Sequence, residues 1–572
     1  MTKLKKLKKL FINYKIDGYI VPKNDEFFGE YIPESKDNLK FISSFLGSSG
    51  LALILKKKNY LFVDGRYTLQ AKIQSGKNFK IVTMPERLPS DILKSRKLFI
   101  GYDPKLHTED MLDRLFKKNN FNLIPINKNL ISEIWSSKVI QKNNKFYKLK
   151  DKDAGQSSNS KIKKLSKILN KNKINLQFIS SSENIAWLLN LRGSDSEFTP
   201  MPNSYLILDN KNKAYLFCDL RKITKKLKIN LRNIVIINIT YIDQFLSDIR
   251  NKVVQLDSLS CSLFFKHIIK KKKIIIEKQD PIYFLKAIKN KVEIKNIIKT
   301  HIYDGAALAK FLFWLKNNFK NKKISEISAQ EKLLKFRKNN KNFKSLSFPT
   351  ISGTGSNGAI IHYKANKKSN KILKKGDIYL VDSGGQYNFG TTDVTRTISL
   401  ENNQPRIKNI FTRVLKGHIA VANYKLNKNT DGSKIDVAAR KPLKEINLDY
   451  AHGTGHGVGY FLNVHEGPQA ISRGNKVKFQ EGMIVSNEPG YYENGKFGIR
   501  IENLLSVKKK NARLMFNNLT LAPIDKSLII KKLLNKNEIN WLNKYHSKVF
   551  NALKKFMNKS ELVDLKKSCS SI

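Results

Sequence analysis

The sequence predicts a multidomain chain of α/β and α+β type, and three observations carry that prediction. At 572 residues the chain exceeds what one compact core accommodates, since domains run to about 100–200 residues. Strand-like and helix-like segments alternate through its first half, and its second half joins a long helical segment to Gly-rich turns and apolar strands. Hydrophobic residues at 41% and aromatics at 10% supply apolar surface for packed cores, which excludes a chain disordered throughout.

The first domain is expected over 1–146. Leu4, Leu7, Leu10 and Phe11 share one face of a short amphipathic helix that feeds a strand at 18–21. LALILKKKNYLFV and KLFIGYD read as strands, and DMLDRLFKKN as a helix. The polar run 141–161 reads as a connection into a new helix. The second domain, 147–285, repeats the style with IKKLSKILNKN and ENIAWLLNL as helices, LQFISS as a strand, and a strand pair turning at 210–212. The two stretches read as copies of one domain type, although their direct identity is weak. The third domain, 286–510, opens on one long helical segment, YFLKAIKNKVEIKNIIKTHIYDGAALAKFLFWLKNN. The tail over 511–572 carries an amphipathic helix, NEINWLNKYHSKVFNALKKF, expected to pack on the third domain.

The net charge is +60, from 107 Lys and Arg against 47 Asp and Glu. The basic residues are mostly Lys, spread among Asn and Ile along the whole chain. That distribution reads as solvated faces, so nucleic acid is not expected as a partner. Cys218, Cys261 and Cys569 are scattered and form no CxxC pair, which argues against a disulfide framework or a thiolate metal site and suits a reducing cytoplasm. No run of about 18 apolar residues suggests a membrane span, and the basic start lacks the apolar segment of a secretory signal.

The chemistry concentrates in the third domain. IYLVDSGGQYNFGTTDVTRTISL contains two strand-like runs around a Gly-rich turn, and Asp393 follows Asp382 by 11 residues, on the returning strand. MIVSNEPGYYENGKFGIRIENLLSV reads as a second hairpin, with Glu488 ending its first strand and Glu502, 14 residues later, on its second. Arg500 and Glu502 are two apart and share a face. Between the hairpins, HGTGHGVGYFLNVHEGP carries His452, His456 and His465, and GAIIHYKA upstream carries His362. Converging carboxylates repel by about 4 kcal/mol per pair at 4 Å and an effective dielectric of 20, so a site built from them calls for cations. Four carboxylates and one imidazole form a hard, oxygen-rich set. Such a set favours Mn²⁺, with Co²⁺, Fe²⁺ and Zn²⁺ left open. The Gly-rich run at 353–359 lacks the Lys-Ser/Thr of a phosphate loop, so nucleotide binding is rejected there.

These motifs resemble the pita-bread metallopeptidases, specifically the three-domain, cytosolic-type aminopeptidase P (Xaa-Pro aminopeptidase) family. PTISGTGSNGAIIHY, YLVDSGGQYNFGTTDVTRT, VLKGHIAVA, DYAHGTGHGVGYFLNVHEGP and GMIVSNEPGYYENGKFGIRIEN carry the likeness in the third domain. FVDGRYTLQA, ENIAWLLNLRGSD, DPIYFLKAIKN and WLNKYH extend it outside that domain. The resemblance implies two creatinase-N-like α/β domains, a pita-bread catalytic domain and a C-terminal extension. It implies two divalent metal ions: Asp382 would bind one only, Asp393 and Glu502 would bridge both, and His456 and Glu488 would bind the other. His362, His452 and His465 match the family's substrate-binding and supporting histidines, and Arg500 an arginine that supports the metal carboxylates. Glu488 is the expected proton carrier. The implied activity is release of the N-terminal residue from small peptides with proline second, by attack of a metal-bridging hydroxide, in a cytoplasmic homodimer. A prolidase, a methionine aminopeptidase and a non-catalytic pita-bread binding module are the alternatives.

Overall fold

Thr2 starts the first helix, α1 (Lys3–Asn13), by accepting from the Lys5 N–H, and the face that carries Leu7 and Phe11 is buried. A computed structural model describes residues 2–93, 97–117, 121–135, 144–271, 273–402, 404–511 and 513–572. The chain divides into two compact units, Met1–Tyr283 and Phe284–Ile572.

The first unit holds two six-stranded sheets. One contains β1 (Gly18–Pro22), β2 (Leu51–Leu55), β3 (Asn59–Asp64), β4 (Lys80–Met84), β5 (Phe99–Tyr102) and β6 (Asn122–Pro125), in the order β4-β3-β2-β1-β5-β6. The other contains β7 (Leu176–Ile179), β8 (Ser204–Asp209), β9 (Ala214–Cys218), β10 (Ile234–Asn238), β11 (Val253–Leu256) and β12 (Ile274–Glu277), in the order β10-β9-β8-β7-β11-β12. In each sheet the first strand pairs antiparallel with the second and parallel with the fifth. The second and third pair antiparallel and the third and fourth parallel. The duplication suspected from the sequence is thus visible as strand order and direction. The turn between β8 and β9 closes with Asn212 at φ +72°, a conformation that asparagine tolerates. In the predicted 141–161 connection, residues 141–143 lie outside the described residues, and the remainder holds a short strand at Tyr147–Lys148 and a helix at Asp151–Ala154 before the helix Ser158–Lys171.

The single long helix expected at the start of the third domain is two helices, Ile282–Ala287 and α2 (Lys291–Asn318). Asn290 breaks it: its side chain accepts from Val292 and Glu293 N–H, and the Glu293 carboxylate accepts in return from the Asn290 N–H. In a Lys/Asn-rich run that cap is indistinguishable from a solvated helical asparagine.

The rest of the second unit wraps helices around short sheets. α3 (Glu326–Lys338) precedes the sheet of β13 (Ile351–Thr354), β14 (Ile378–Ser383) and β15 (Val394–Ser399), with β14 central. After α4 (Pro405–Ala422) and α5 (Gly432–Lys444) come β16 (Gly455–Gly457), β17 (Glu466–Ile471), β18 (Ile484–Asn487), β19 (Gly490–Glu493), β20 (Phe497–Arg500), β21 (Asn503–Lys510) and β22 (Arg513–Asn518). Five of these form the sheet β17-β16-β18-β21-β22, and β19 pairs with β20 alone. The tail forms α6 (Lys536–Leu553) and α7 (Lys559–Cys569). Leu542, Tyr545 and Val549 of α6 share a core with Ile410, Phe411 and Val414 of α4. Among the described residues, no helix is long and apolar enough to cross a membrane.

Candidate metal centre

β14 and β15 pair in register from Ile378↔Ser399 to Ser383↔Val394, with Asp382 opposite Thr395. Asp393 immediately precedes Val394, so both aspartates sit at the turn-proximal end of this hairpin. The second pair of acids is placed differently from the expectation. Glu488 and Glu502 are not within one continuous hairpin but at the break between two ladders. β18 pairs with β21 as far as Asn487↔Asn503, and β19 with β20 from Gly490↔Arg500. Pro489 has no N–H to donate, which interrupts the ladder after Glu488. The freed backbone groups bond sideways instead. Glu488 N–H donates to Thr454 O at 2.8 Å and Glu502 N–H to Thr395 O at 3.2 Å. One acid is thereby tied to the histidine segment and the other to the aspartate hairpin.

β16 carries His456 at a bulge. A Cβ on Gly455 would lie 1.9 Å from Ser486 O, and one on Gly457 2.1 Å from Glu466 O. The GTGHG glycines therefore let β16 run against its neighbours with the imidazole projecting. His456 Nδ1 donates to Gly457 O at 2.9 Å, which directs Nε2 to Asp393 Oδ2 and Glu488 Oε1, each at 3.4 Å. Asp393, His456 and Glu502 offer ligand atoms that all lie within 4.8 Å of one another.

Arg500, 1% exposed, donates from Nη2 to Asp382 Oδ2 at 2.6 Å. Thr395 Oγ1 accepts from Arg500 Nε at 3.1 Å and donates to Glu502 Oε2 at 2.9 Å. The other oxygens of these two acids, Asp382 Oδ1 and Glu502 Oε1, are buried without a hydrogen-bond partner. Two orphaned carboxyl oxygens, in a cluster of acids that also holds an imidazole nitrogen, are a donor set that fits divalent cations.

The electrostatics of the metal-free cluster agree. Burial, and then the charges of Asp393 and Glu488, push the Asp382 pKa up to about 7 against the pull of Arg500. Burial also raises Glu488, and it raises Glu502 far above the carboxylate range with help from the neighbouring acids. His456 goes the other way from an ordinary buried imidazole: burial lowers it, but Asp393 and Glu488 bring it up to about 9.

His362, His452 and His465 are half-buried. The His465 ring centroid lies 4.3 Å from that of His456. His452 Nδ1 donates to Gly453 O at 2.7 Å, so its Nε2 accepts from the Tyr492 hydroxyl at 2.9 Å. That hydroxyl accepts in turn from Arg500 Nη1. His452 is thereby joined to the Asp382 carboxylate through two side chains. His362 lies in a loop organised by Glu326, whose carboxylate accepts from Thr354 N–H, Lys371 N–H, Asn357 Nδ2 and the Tyr363 hydroxyl. Glu326, Thr395 and Tyr492 were not singled out in the sequence.

Because Arg500 and Asp382 are a buried pair, removing one partner leaves an uncompensated charge. Arg500→Met is expected to cost the metal-free protein about 3–5 kcal/mol at pH 8, where Asp382 is ionised. Denaturant unfolding measures this, and a loss below about 1 kcal/mol would remove Arg500 from that role.

The chain is 37% identical over 604 aligned residues to a probable Xaa-Pro aminopeptidase P of Laccaria bicolor, covering 100% of this chain and 93% of the relative. The chain belongs to the aminopeptidase P family. Another aminopeptidase P relative, Xaa-Pro aminopeptidase 1 of Dictyostelium discoideum, is 38% identical, with 96% of this chain and 92% of that protein covered. The model of metallopeptidase family M24 matches residues 295–509. Creatinase/prolidase N-terminal domain models match 3–133 and 138–293, and the M24 C-terminal region matches 512–572. Among solved structures, the X-prolyl aminopeptidase of Caenorhabditis elegans, described as a cytosolic enzyme with a di-nuclear active site, superposes with a TM-score of 0.94. It is 31% identical, and the alignment covers 100% of this chain and 99% of that one. The aminopeptidase P fold is thus two creatinase-N domains followed by a pita-bread domain. The prolidase of Pyrococcus furiosus, 24% identical at a TM-score of 0.50 over 62% of this chain, shares the fold only in part.

Proposed function

We propose that this chain is a metal-dependent aminopeptidase that releases the first residue of peptides whose second residue is proline. The observation that carries the proposal is the convergence of Asp393, His456 and Glu502, flanked by Asp382 and Glu488, in a chain that matches aminopeptidase P relatives from end to end. Asp382, Asp393, His456, Glu488 and Glu502 would hold two divalent ions there. The hard donor set favours Mn²⁺. When bound, such ions polarise a carbonyl and make a water acidic near neutral pH.

The chain's own residues supply the rest. Glu488 takes the proton of the attacking water and delivers it to the proline nitrogen, which must be protonated to leave. His362 and His465 donate to the oxygen that gains charge. His452 acts through Tyr492 and Arg500, holding the Asp382 carboxylate in place. An X–Pro bond is a tertiary amide without an N–H and with a fixed φ, so a pocket shaped to the pyrrolidine ring is what separates this substrate from ordinary peptides.

The same reading places the protein in the cytoplasm, supported by the buried free thiols of Cys218, Cys261 and Cys569 and by the cytosolic description of the C. elegans relative. It also makes the protein a homodimer of that family's kind, which light scattering checks. A peptide panel tests the activity. X-Pro-Pro peptides are expected to lose their first residue, Met-Ala peptides to stay intact, and chelation to stop turnover. Cleavage confined to X-Pro dipeptides would make the protein a prolidase instead, and no hydrolysis with metal bound would leave a binding module.

A further inference from the structure

The helix α2 comes close to the chain at Leu521: a Cβ on Gly305 would meet Leu521 O at 2.3 Å. Beside this contact lies a small cavity lined by His301, Asp304, Thr392, Asp393 and Thr520 among others. His301 is 2% exposed, and its Nδ1 lies 2.8 Å from Ile297 O. A carbonyl only accepts, so the ring proton is on Nδ1 and Nε2 is a bare lone pair. That Nε2 is buried with no partner. Burial also lowers the His301 pKa, which keeps the ring neutral.

Most other polar groups on the cavity wall are committed elsewhere. The Asp304 carboxylate is held by Arg337 through Nε at 2.8 Å and Nη2 at 3.1 Å, and by the Tyr387 hydroxyl at 2.8 Å. Thr392 Oγ1 accepts from Gly385 N–H at 2.9 Å. Thr520 Oγ1 accepts from Leu504 N–H at 2.8 Å, which leaves its own proton to donate. The cavity therefore presents two acceptors, His301 Nε2 and the Asp393 carboxylate, and one donor, the Thr520 hydroxyl. A water molecule has the complementary set, two protons and a lone pair, and needs two to four such partners to be held in a buried site.

We propose that one water in this cavity joins His301 Nε2 and the Thr520 hydroxyl to the Asp393 carboxylate, making His301 a positioning residue for that carboxylate. The proposal rests on the metal-centre reading given above. It gives α2 a part in metal binding: the helix fixes His301, the water fixes the orientation of Asp393, and Asp393 meets the ions with its orientation already set.

The test is a Mn²⁺ titration of the full-length protein against a competing fluorescent chelator, with the melting temperature of the metal-free protein read in parallel. His301→Phe keeps the ring's bulk and removes the lone pair, and is expected to weaken Mn²⁺ binding about tenfold, the lower end for outer partners of metal ligands. Thr520→Val is expected to weaken it by less, and Thr520→Ser to bind as the parent does. Since both side chains act through one water, the double variant should bind no more weakly than His301→Phe alone. Parental affinity in both His301→Phe and Thr520→Val, or losses that add, would overturn the proposal. So would weakening in Thr520→Ser equal to that in Thr520→Val, or a lower melting temperature with Mn²⁺ affinity unchanged. If His301→Phe does not fold, the contrast between Val and Ser at 520 decides alone. A parent protein that binds no Mn²⁺ would sink the metal reading itself, a result distinct from all of these.

Discussion

Glu488→Gln is expected to lower turnover by about 10³-fold or more, the range for loss of a general acid–base group, while the protein stays folded. The substitution is nearly isosteric, and the surroundings of Glu488 tolerate it. Its backbone is anchored by the bond to Thr454 O, and Ser486 Oγ, 3.1 Å from Glu488 Oε1, can donate equally to an amide oxygen. What the amide cannot do is carry a proton back and forth. Burial raises the Glu488 pKa above the ordinary glutamate value, with His456 pulling it down and Asp393 pushing it up, which favours a carboxylate that accepts a proton. The amide also offers a neutral oxygen where an anionic ligand is proposed, and metal content should fall with activity. Titrating both quantities separates the two effects: turnover should stay low when added Mn²⁺ restores full occupancy. Near-normal kcat with full metal content would strike Glu488 from its role.

How far the site could be read from the sequence depends on the range of the forces that build it. The aspartate hairpin was legible because strand periodicity on either side of a Gly-rich connection puts Asp382 and Asp393 at the same end of the ladder, and the register agrees. The glutamates were legible as residues but not in position. Pro489 signals an interrupted strand, yet nothing local says that Glu502 N–H will bond to Thr395 on another sheet. Tyr492, Thr395 and Glu326 went unnoticed for the same reason. A tyrosine or threonine in a strand has no signature until the fold brings Arg500 or Glu502 beside it. The duplication in the first unit was a suspicion from element order alone, because topology survives substitutions that erase identity. Asn290 was missed because capping depends on backbone geometry that a helical run of polar residues conceals.

Removing the metals should make the stability of this protein fall as pH rises. In the metal-free cluster Asp382 titrates at about 7 and His456 at about 9, and Glu488 and Glu502 are raised as well. All four hold protons more tightly folded than unfolded. Each therefore contributes stability that is complete below its unfolded pKa and lost as pH rises through its folded value. For Asp382 the rise from 3.8 to about 7 corresponds to about 4 kcal/mol at 1.36 kcal/mol per unit. The neighbours share protons, so the whole cluster loses less than the sum of its members. After chelation, the melting temperature is expected to drop steadily between about pH 5 and pH 9. Cations replace protons in this cluster, so added Mn²⁺ should restore stability most at the alkaline end, and its apparent affinity should rise with pH across the same window. Calorimetric titrations in two buffers of different ionisation enthalpy would register the protons released on metal uptake. A metal-free melting temperature that is flat or climbs over this range, or uptake without proton release, would mean that these acids are not held together as an uncompensated buried cluster.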